Sequence, residues 1–493
     1  MDLICLIFLY ASIYPPNMKN HLKYALVFLT ISFNSCSQKS DTFDSTVIVS
    51  GKIENSESEG ITLFQDIDIA SGKIDAEGNF KLVFDGNEGS NYTLESGRTQ
   101  FDLYLSQGDS VYLSVDFKDI PNSFEVKGGH EKEIRYYFEK AQTEREIGLD
   151  YPMELMRRSK EEYFKIRDSL FTLSRLKFEK LKKQDNVDAE FIKNEEAYFS
   201  YAPLLYDLSY PLYQASFTNK PQDSIDFPIE QVNAKLAAIP LDQSHLLKVS
   251  SYTGLVNMRL SNLSDAIMKS DSSLMSGKRA YETARMHAID SLLKDNSIRD
   301  RFIFMLIKSG LDLHGPIYVK DSYEKFMKEN KSPEYAEKLK KTRDKWEPIS
   351  PGKAVPDFTF IDMGGKEVKL SDLKGNVVYI DIWATWCGPC IAEHPHWDKL
   401  KKEFEGKPVA FLTVSIDDSE EPWKKMVKSK NMEGLQWFAQ NAWESDFTQH
   451  FMVNSIPRFV LLDEEGKIID PLAERPSGNI RDTLEKHLAK RPI

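Results

Sequence analysis

Two cysteines that directly follow an apolar segment constrain the fold more than any other part of the sequence. The stretch reads VVYIDIWATWCGPC, in which Gly388 and Pro389 separate Cys387 from Cys390. Its first seven residues form the nearly continuous apolar run of a buried strand. Proline suits the first turn of a helix, because its missing N–H has no partner there in any case. The sequence therefore predicts a strand that runs into a helix, with Cys387 at the junction.

The spacing of Cys387 and Cys390 predicts redox chemistry. Positions i and i+3 are neighbours on a helix surface, so the two sulfurs can form and break a disulfide without large backbone movement. A cysteine at a helix N-terminus is stabilised as a thiolate by unpaired N–H groups and by the helix dipole. Cys387 is therefore the predicted nucleophile, and the disulfide itself replaces any bound cofactor.

Metal binding is the alternative use of such a pair. A closed zinc site needs four ligands, and the other two cysteines, Cys5 and Cys36, lie far upstream. His394, His396 and His450 could complete a Cys-His site, and a copper-delivery role stays open in the same way. Because a strand-to-helix CxxC favours redox chemistry, we predict no metal and expect His394 and His396 to be ordinary surface residues.

The N-terminus has the pattern of an export signal. After Met18 a basic start precedes an apolar run that is too short to span a bilayer but has the length of a signal-peptide core. We predict a signal sequence over residues 1–35, with Met18 as the true start and residues 1–17 as an upstream extension. A single interrupted membrane anchor over residues 3–33 is the alternative. The segment around Cys36 resembles the lipobox of bacterial lipoproteins, which implies lipidation of Cys36.

Three patterns follow one another along the rest of the chain, whose 493 residues suggest about three domains. Short runs of β-branched and aromatic residues between turn signals predict an all-β sandwich or barrel over residues 46–129. Charged segments with helical periodicity predict a helical domain over 131–346. Strands and helices alternate in 353–493, as in an α/β layer fold. The predicted fold class is a multidomain α+β protein.

Charge excludes one class of partner. The chain has 64 Lys and Arg against 76 Asp and Glu, a net charge of -12. The electrostatic potential of a chain with this negative net charge repels polyanions, so we expect no nucleic-acid partner.

Residues 350–493 resemble a known family. The segment YIDIWATWCGPCIAEHP is similar to the active-site segment of the thioredoxin superfamily. The longer stretch from PGKAVPDFTFIDMGGKEVKL to the cysteines resembles its TlpA/ResA-like branch of extracytoplasmic thiol-disulfide oxidoreductases. The resemblance implies a thioredoxin-like fold, with Cys387 as the attacking and Cys390 as the resolving cysteine. The N-terminal β-domain resembles a module of unknown function that often precedes such domains in exported bacterial proteins.

The resemblance also implies roles for neighbouring residues. Asp381 matches a buried acid that relays the proton of Cys390; a solvated carboxylate at the strand end is the alternative. The peptide bond between Ile456 and Pro457 is expected to be cis. The residues expected to contact substrate are Trp386, Gly388, Pro389, Ile456 and Pro457.

Four positions refine this comparison. Pro395 matches the proline that kinks the active-site helix. Glu393 matches a glutamate common in the branch, although a surface position is equally compatible with the sequence. Arg458 replaces a frequent threonine, which suggests an altered substrate choice. The proline and threonine of peroxidase relatives are replaced by Ile380 and Ala384, which argues against peroxidase activity.

The sequence thus predicts an enzyme that reduces disulfides of exported proteins, in the cell envelope, facing the periplasm and anchored by lipid. An oxidising compartment does not regenerate a dithiol, so a membrane electron donor of the DsbD/CcdA kind is expected. Cytochrome c maturation is a common task of the branch, but no residue here selects it. A disulfide oxidase or isomerase, or a cell-surface binding lipoprotein, are the alternatives.

Overall fold

The computed structural model describes residues 45–489, except 57, 98, 150, 151 and 272–279. The predicted signal sequence, Met18 and Cys36 lie outside the described residues. In the part that is described, no helix is both long and apolar enough to cross a membrane.

The N-terminal part consists of strands and one short helix. Their bounds are β1 Thr46–Glu54, β2 Gly60–Phe64, β3 Asp68–Lys73, β4 Asn79–Asp85, β5 Ser90–Ser96, β6 Thr99–Leu105, β7 Ser110–Asp116, α1 Ile120–Ser123 and β8 Glu125–Gly128.

These strands form a β-sandwich, which confirms the predicted all-β fold. One sheet has the order β4-β1-β7-β8 and the other β3-β2-β5-β6. Buried and less buried residues alternate along β1, as a half-buried strand requires. Val47 and Val111 of the first sheet share one core with Leu63 and Leu94 of the second. The strand pairs are antiparallel except β1 and β7, which run parallel.

The helical region begins directly after the sandwich. Its bounds are α2 Glu131–Glu146, α3 Pro152–Leu155, α4 Lys160–Leu181, α5 Ala189–Thr218, α6 Ile229–Ala237, α7 Ser250–Ser270, α8 Ala280–Leu292, α9 Asn296–His314, α10 Lys320–Glu329 and α11 Pro333–Asp344. Local sequence explains the start of α4, where Ser159 and Glu162 form a reciprocal capping box. Tyr163 and Leu170 on its apolar stripe are buried.

The C-terminal part alternates strands and helices. Its bounds are β9 Thr359–Asp362, β10 Glu367–Lys369, β11 Val377–Trp383, α12 Gly388–Glu403, β12 Val409–Ser415, α13 Glu420–Ser429, β13 Leu435–Phe438, α14 Asp446–His450, β14 Arg458–Leu462, β15 Ile468–Asp470 and α15 Ile480–Leu488.

One seven-stranded sheet organises this part, in the order β10-β9-β13-β12-β11-β14-β15. The central strand β11 pairs parallel with β12 and antiparallel with β14. All seven of its residues are buried. Ile380 and Ile382 belong to one hydrophobic core, whereas Val377 and Tyr379 belong to a second core with Trp397 of α12. The sheet is therefore covered on both faces, and the predicted thioredoxin-like fold is confirmed.

The described chain divides into two compact units. Among the described residues, the first comprises those from 45 to 271 together with Thr283–Arg299, and the second comprises 280–282 together with those from Asp300 to 489. The helical region is thus shared between the units. Trp346 and Ile349 are buried in the same core as Ile380 and Ile382 of β11. The domain boundaries 46–129, 131–346 and 353–493 remain predictions.

Candidate active site

The disulfide lies where β11 gives way to α12. Cys387 is the N-cap of α12, and its Sγ accepts a hydrogen bond from the backbone N–H of Cys390 at 3.2 Å. Pro389 occupies the first turn. The two cysteines form a disulfide with a Cα–Cα distance of 5.3 Å. Both residues are buried, with Cys387 4% and Cys390 0% exposed, so Cys387 is the more accessible residue of the pair.

An open, partly apolar surface adjoins Cys387. Trp386 is 47% exposed, and its ring centroid lies 6.3 Å from that of Trp443. A Cβ added at Gly388 would meet no atom within 4 Å, so the backbone there is accessible. Ile456 packs partly buried against the core that contains both cysteines, and the Ile456–Pro457 bond is cis, as expected. Trp386, Gly388 and Pro389 adjoin Cys387 in the chain, and the substrate-binding role of all five predicted residues remains a prediction.

Asp381 is buried within β11. Its residue neighbours across the strand pairs are Thr413 of β12 and Phe459 of β14. The residue is 1% exposed, and Oδ1 has no hydrogen-bond partner in the described structure. Burial, assisted by the negative charge of Glu393, raises the pKa of Asp381 well above its usual value. The alternative of a solvated carboxylate is therefore wrong.

His394 is not the surface residue that the sequence suggested. Its Nε2 lies 3.9 Å from Oδ2 of Asp381, and its ring packs edge-on against Trp383, with centroids 4.9 Å apart. Burial lowers the pKa of His394, although Asp398 acts in the opposite direction. Because the pKa of Asp381 is raised and that of His394 is lowered, burial favours the neutral form of both side chains, in spite of their ion-pair distance.

The other two histidines do not approach this pair. His396 is exposed on α12, and the ring of His450 packs against Phe358, with centroids 5.4 Å apart. Within the described ranges, no group of three or more His, Cys, Asp or Glu side chains is arranged to hold a metal ion.

Glu393 connects α12 by hydrogen bonds to the segment that precedes α15. It is buried rather than exposed, which decides between the two positions that the sequence left open. Its carboxylate accepts hydrogen bonds from the backbone N–H of Ser477 at 3.0 Å and from Oγ of Ser477 at 2.8 Å. Pro395 lies within α12, as expected.

Asp417 is a buried acid at the site that sequence reasoning missed. It follows the end of β12, and its carboxylate accepts hydrogen bonds from the backbone N–H of Thr385 at 3.1 Å and from Oγ1 of Thr385 at 2.7 Å. Oγ of Ser415 donates a further bond at 2.7 Å. Asp417 thus holds the turn that carries Cys387. The signal available was an acid at the end of the strand beside β11.

The side chain of Arg458 contacts backbone carbonyl groups, and its suggested effect on substrate choice remains a prediction. Its side chain is buried. Nε donates to the carbonyl oxygen of Pro471 at 3.0 Å, and Nη2 donates to that of Phe451 at 3.2 Å. Burial lowers the pKa of Arg458 to about 10. The residue therefore fixes backbone segments on either side of β14.

Fold and site together define a class of protein. A disulfide stands at the N-terminus of the helix that follows the central strand of a covered sheet, and a buried acid lies in that strand. This is the arrangement of a thioredoxin-fold disulfide oxidoreductase.

Comparison with known proteins gives the family. Residues 350–484 match the family model described as Redoxin. The thiol-disulfide oxidoreductase ResA of Bacillus subtilis is 31% identical over 123 residues, which are 25% of this chain and 67% of that relative. ResA of Bacillus cereus is 28% identical over 139 residues, which are 28% of this chain and 77% of the relative. Through its C-terminal part, the chain belongs to the ResA-like thiol-disulfide oxidoreductases.

One solved structure is also similar. The thioredoxin domain of a thiol-disulfide oxidoreductase from Bacteroides vulgatus is 31% identical, and the match covers 28% of this chain and 99% of that domain, with a TM-score of 0.27.

Proposed function

We propose that this oxidoreductase works as a reductant of disulfides in exported proteins. The thiolate of Cys387 attacks a substrate disulfide, forms a mixed disulfide and releases one substrate thiolate. Cys390 then attacks Sγ of Cys387, which releases the second substrate thiolate and leaves the Cys387–Cys390 disulfide. The substrate gains two electrons and two protons, and the enzyme dithiol loses them.

The unequal access of the two cysteines carries this proposal. Cys387 is 4% exposed at a helix N-terminus, whereas Cys390 is 0% exposed. The N–H of Cys390 points at Sγ of Cys387, and the helix dipole adds to this field. Both effects favour a thiolate on Cys387, so Cys387 is expected to attack first and Cys390 to resolve.

The direction of electron flow and the location remain part of the proposal. Gly388-Pro389 and Asp381 favour a reductant, by resemblance to thioredoxin. Such a dithiol needs reducing equivalents outside the cytoplasm, and a membrane donor of the DsbD/CcdA kind would supply them. The predicted signal sequence over residues 1–35 and a lipid on Cys36 would place the enzyme in the cell envelope, facing the periplasm.

The reduction potential of the Cys387–Cys390 pair tests the direction. The protein is equilibrated with glutathione and with dithiothreitol mixtures, and the reduced fraction is measured by thiol alkylation. A reductant is expected near ~-270 mV, as in thioredoxin. A potential near ~-120 mV, as in DsbA, would mean an oxidant and would contradict the proposal. The Cys387→Ser, Cys390→Ser double variant serves as the control and should show no redox transition at this pair.

A further inference from the structure

Asp381 and His394 form a buried pair with unused hydrogen-bonding capacity. Oδ1 of Asp381 and Nε2 of His394 have no hydrogen-bond partner in the part of the chain that the structure describes. Oδ2 of Asp381 lies 3.9 Å from Nε2 of His394. Buried polar atoms are nearly always paired, so two unpaired atoms on facing side chains need an explanation. Both atoms belong to groups that can exchange protons.

One member of the pair shares a helix face with the resolving cysteine, and the two members differ in access to water. His394 follows Cys390 by four residues in α12, so the two side chains share a helix face. The Asp381 side chain is 2% exposed and that of His394 is 16% exposed. His394 is thus the member of the pair nearer to solvent.

Burial creates a difficulty for Asp381 as a base. Burial raises its pKa well above the usual range, which shifts the carboxyl group near pH 7 toward the form that already holds a proton. That form can accept a proton from Cys390 on one oxygen only if it gives up its own proton from the other. His394 is neutral under the same conditions because burial lowers its pKa, so the imidazole has an acceptor nitrogen to offer.

We propose that His394 carries protons between Asp381 and the solvent while Cys390 reacts, an inference that rests on the function proposed above. The Sγ–H proton of Cys390 goes to Oδ1 of Asp381 as the proton on Oδ2 goes to Nε2 of His394. The electron pair of the Cys390 sulfur forms the bond to Sγ of Cys387. The bond from Cys387 to the substrate sulfur breaks, and the substrate thiolate leaves with that electron pair and takes a proton from water.

The geometry of this step requires one adjustment. A separation of 3.9 Å is about 1 Å longer than an N–H···O hydrogen bond, and a side-chain torsion or one bridging water closes that gap. His394 acts through Asp381, and it is a positioning residue for the proton rather than a catalytic one.

The charged groups that shift the pKa values of the pair lie on α12, and Tyr379 on β11 is a further titratable neighbour, whose own pKa is raised well above its usual value by burial and by Asp381. Glu393 raises the pKa of Asp381, and Asp398 opposes the effect of burial on the pKa of His394. The neighbours of Asp381 on β12 and β14 are Thr413 and Phe459, which are uncharged. The pH dependence of the second step is therefore expected to report mainly on Asp381 and His394.

Stopped-flow reaction with 5,5′-dithiobis(2-nitrobenzoic acid) separates the two steps. The full chain is used with Cys5 and Cys36 replaced by serine in every variant, and it is reduced beforehand. Attack by Cys387 releases the first nitrothiobenzoate, and attack by Cys390 releases the second. Two variants are compared: His394→Phe keeps a ring against Trp383 without a proton-accepting nitrogen, and His394→Gln keeps a polar group. His396→Gln, on the exposed side of the same helix, is the matched control.

Both His394 variants are expected to slow the second phase at pH 7 by about tenfold or more, within the range of positioned proton transfer. The rate of their second phase should rise steadily with pH, because hydroxide must replace the imidazole as proton acceptor. The rate of their first phase should equal that of the unsubstituted chain. The His396→Gln variant should match the unsubstituted chain in both phases. Equal second-phase rates and equal pH profiles in all chains would overturn the inference, as would equal slowing of both phases. Absence of the first phase in the unsubstituted chain would instead overturn the proposed function.

Discussion

A carboxyl group that is buried in the middle of a sheet, as Asp381 is, changes how the whole domain responds to pH. The unfolded chain ionises an ordinary aspartate near pH ~4. The folded chain keeps the proton to a higher pH, because burial raises the pKa of Asp381. Unfolding therefore releases a proton between these two pKa values, and rising pH favours the unfolded state over that interval.

Asp381→Asn should remove this pH dependence. In the oxidised protein, the free energy of unfolding of the unsubstituted chain is expected to fall, relative to the variant, as pH rises from 5 to 8. The slope is up to about 1.4 kcal/mol per pH unit while the pH stays below the folded pKa of Asp381. Urea unfolding at both pH values measures it. The exposed Asp418→Asn variant is the control, and parallel pH curves for Asp381→Asn and the unsubstituted chain would show that Asp381 is not protonated in the fold.

At the scale of elements, one carboxylate connects the end of β12 to the turn before α12. Asp417 is buried, and it accepts hydrogen bonds from the backbone and side chain of Thr385, two residues before Cys387. A buried N–H that loses a charged acceptor is left without compensation for its lost hydration. The position of the reactive turn thus depends on a neighbouring strand rather than on α12 alone.

Asp417→Ala is expected to destabilise the protein by about 2 kcal/mol, because it leaves the N–H of Thr385 unpaired. It should also slow the attack of Cys387 on a small disulfide, since the turn is no longer held. Denaturant unfolding and the first stopped-flow phase measure the two effects. Asp418→Ala, at the exposed next position, should change neither; an equal effect of both substitutions would contradict the role assigned to Asp417.

Local patterns in the sequence predicted much of this architecture. The apolar run of β11 and the Gly-Pro pair at the start of α12 identify the redox turn, because both depend on near neighbours only. The short strands β3 and β13 were not predicted, since DIASGK is not an apolar alternating run and LQWF is only four residues long.

Residues whose environment depends on distant chain segments were harder to predict. Glu393 is buried because Ser477, far along the sequence, donates two hydrogen bonds to it. His394 was expected at the surface, but α12 packs it against Asp381 and Trp383. Helix periodicity alone does not reveal which face of α12 the sheet covers, so these two positions could not be assigned from the sequence.

For the whole molecule, the compact units give a different division from the sequence patterns. The second unit includes the residues from Asp300 onward, whereas the alternation of strands and helices in the sequence suggested a domain that starts at residue 353. Trp346 and Ile349 precede that boundary and are nevertheless buried in the core beneath β11. Loss of a buried tryptophan or isoleucine side chain typically destabilises a protein by about 2–5 kcal/mol.

Fragments of the chain test where this folding unit begins. A fragment of residues 353–493 is expected to be less stable than one of residues 300–493 by about 3 kcal/mol or more, because it lacks Trp346 and Ile349. A fragment of residues 345–493 is the control, since it restores both side chains without α9 to α11. Thermal and urea unfolding measure the difference. Equal stability of the fragments 353–493 and 300–493 would support the boundary predicted from the sequence.

Because Cys390 is fully buried, a substrate protein is expected to form a mixed disulfide with Cys387 alone. Cys387 is the more accessible residue of the disulfide, so a substrate protein halfway through exchange is expected to be attached at its sulfur. If Cys390 is absent, nothing behind that atom can release the captured protein. The proteins that remain covalently attached to such a variant in the cell then identify the disulfides with which the enzyme reacts.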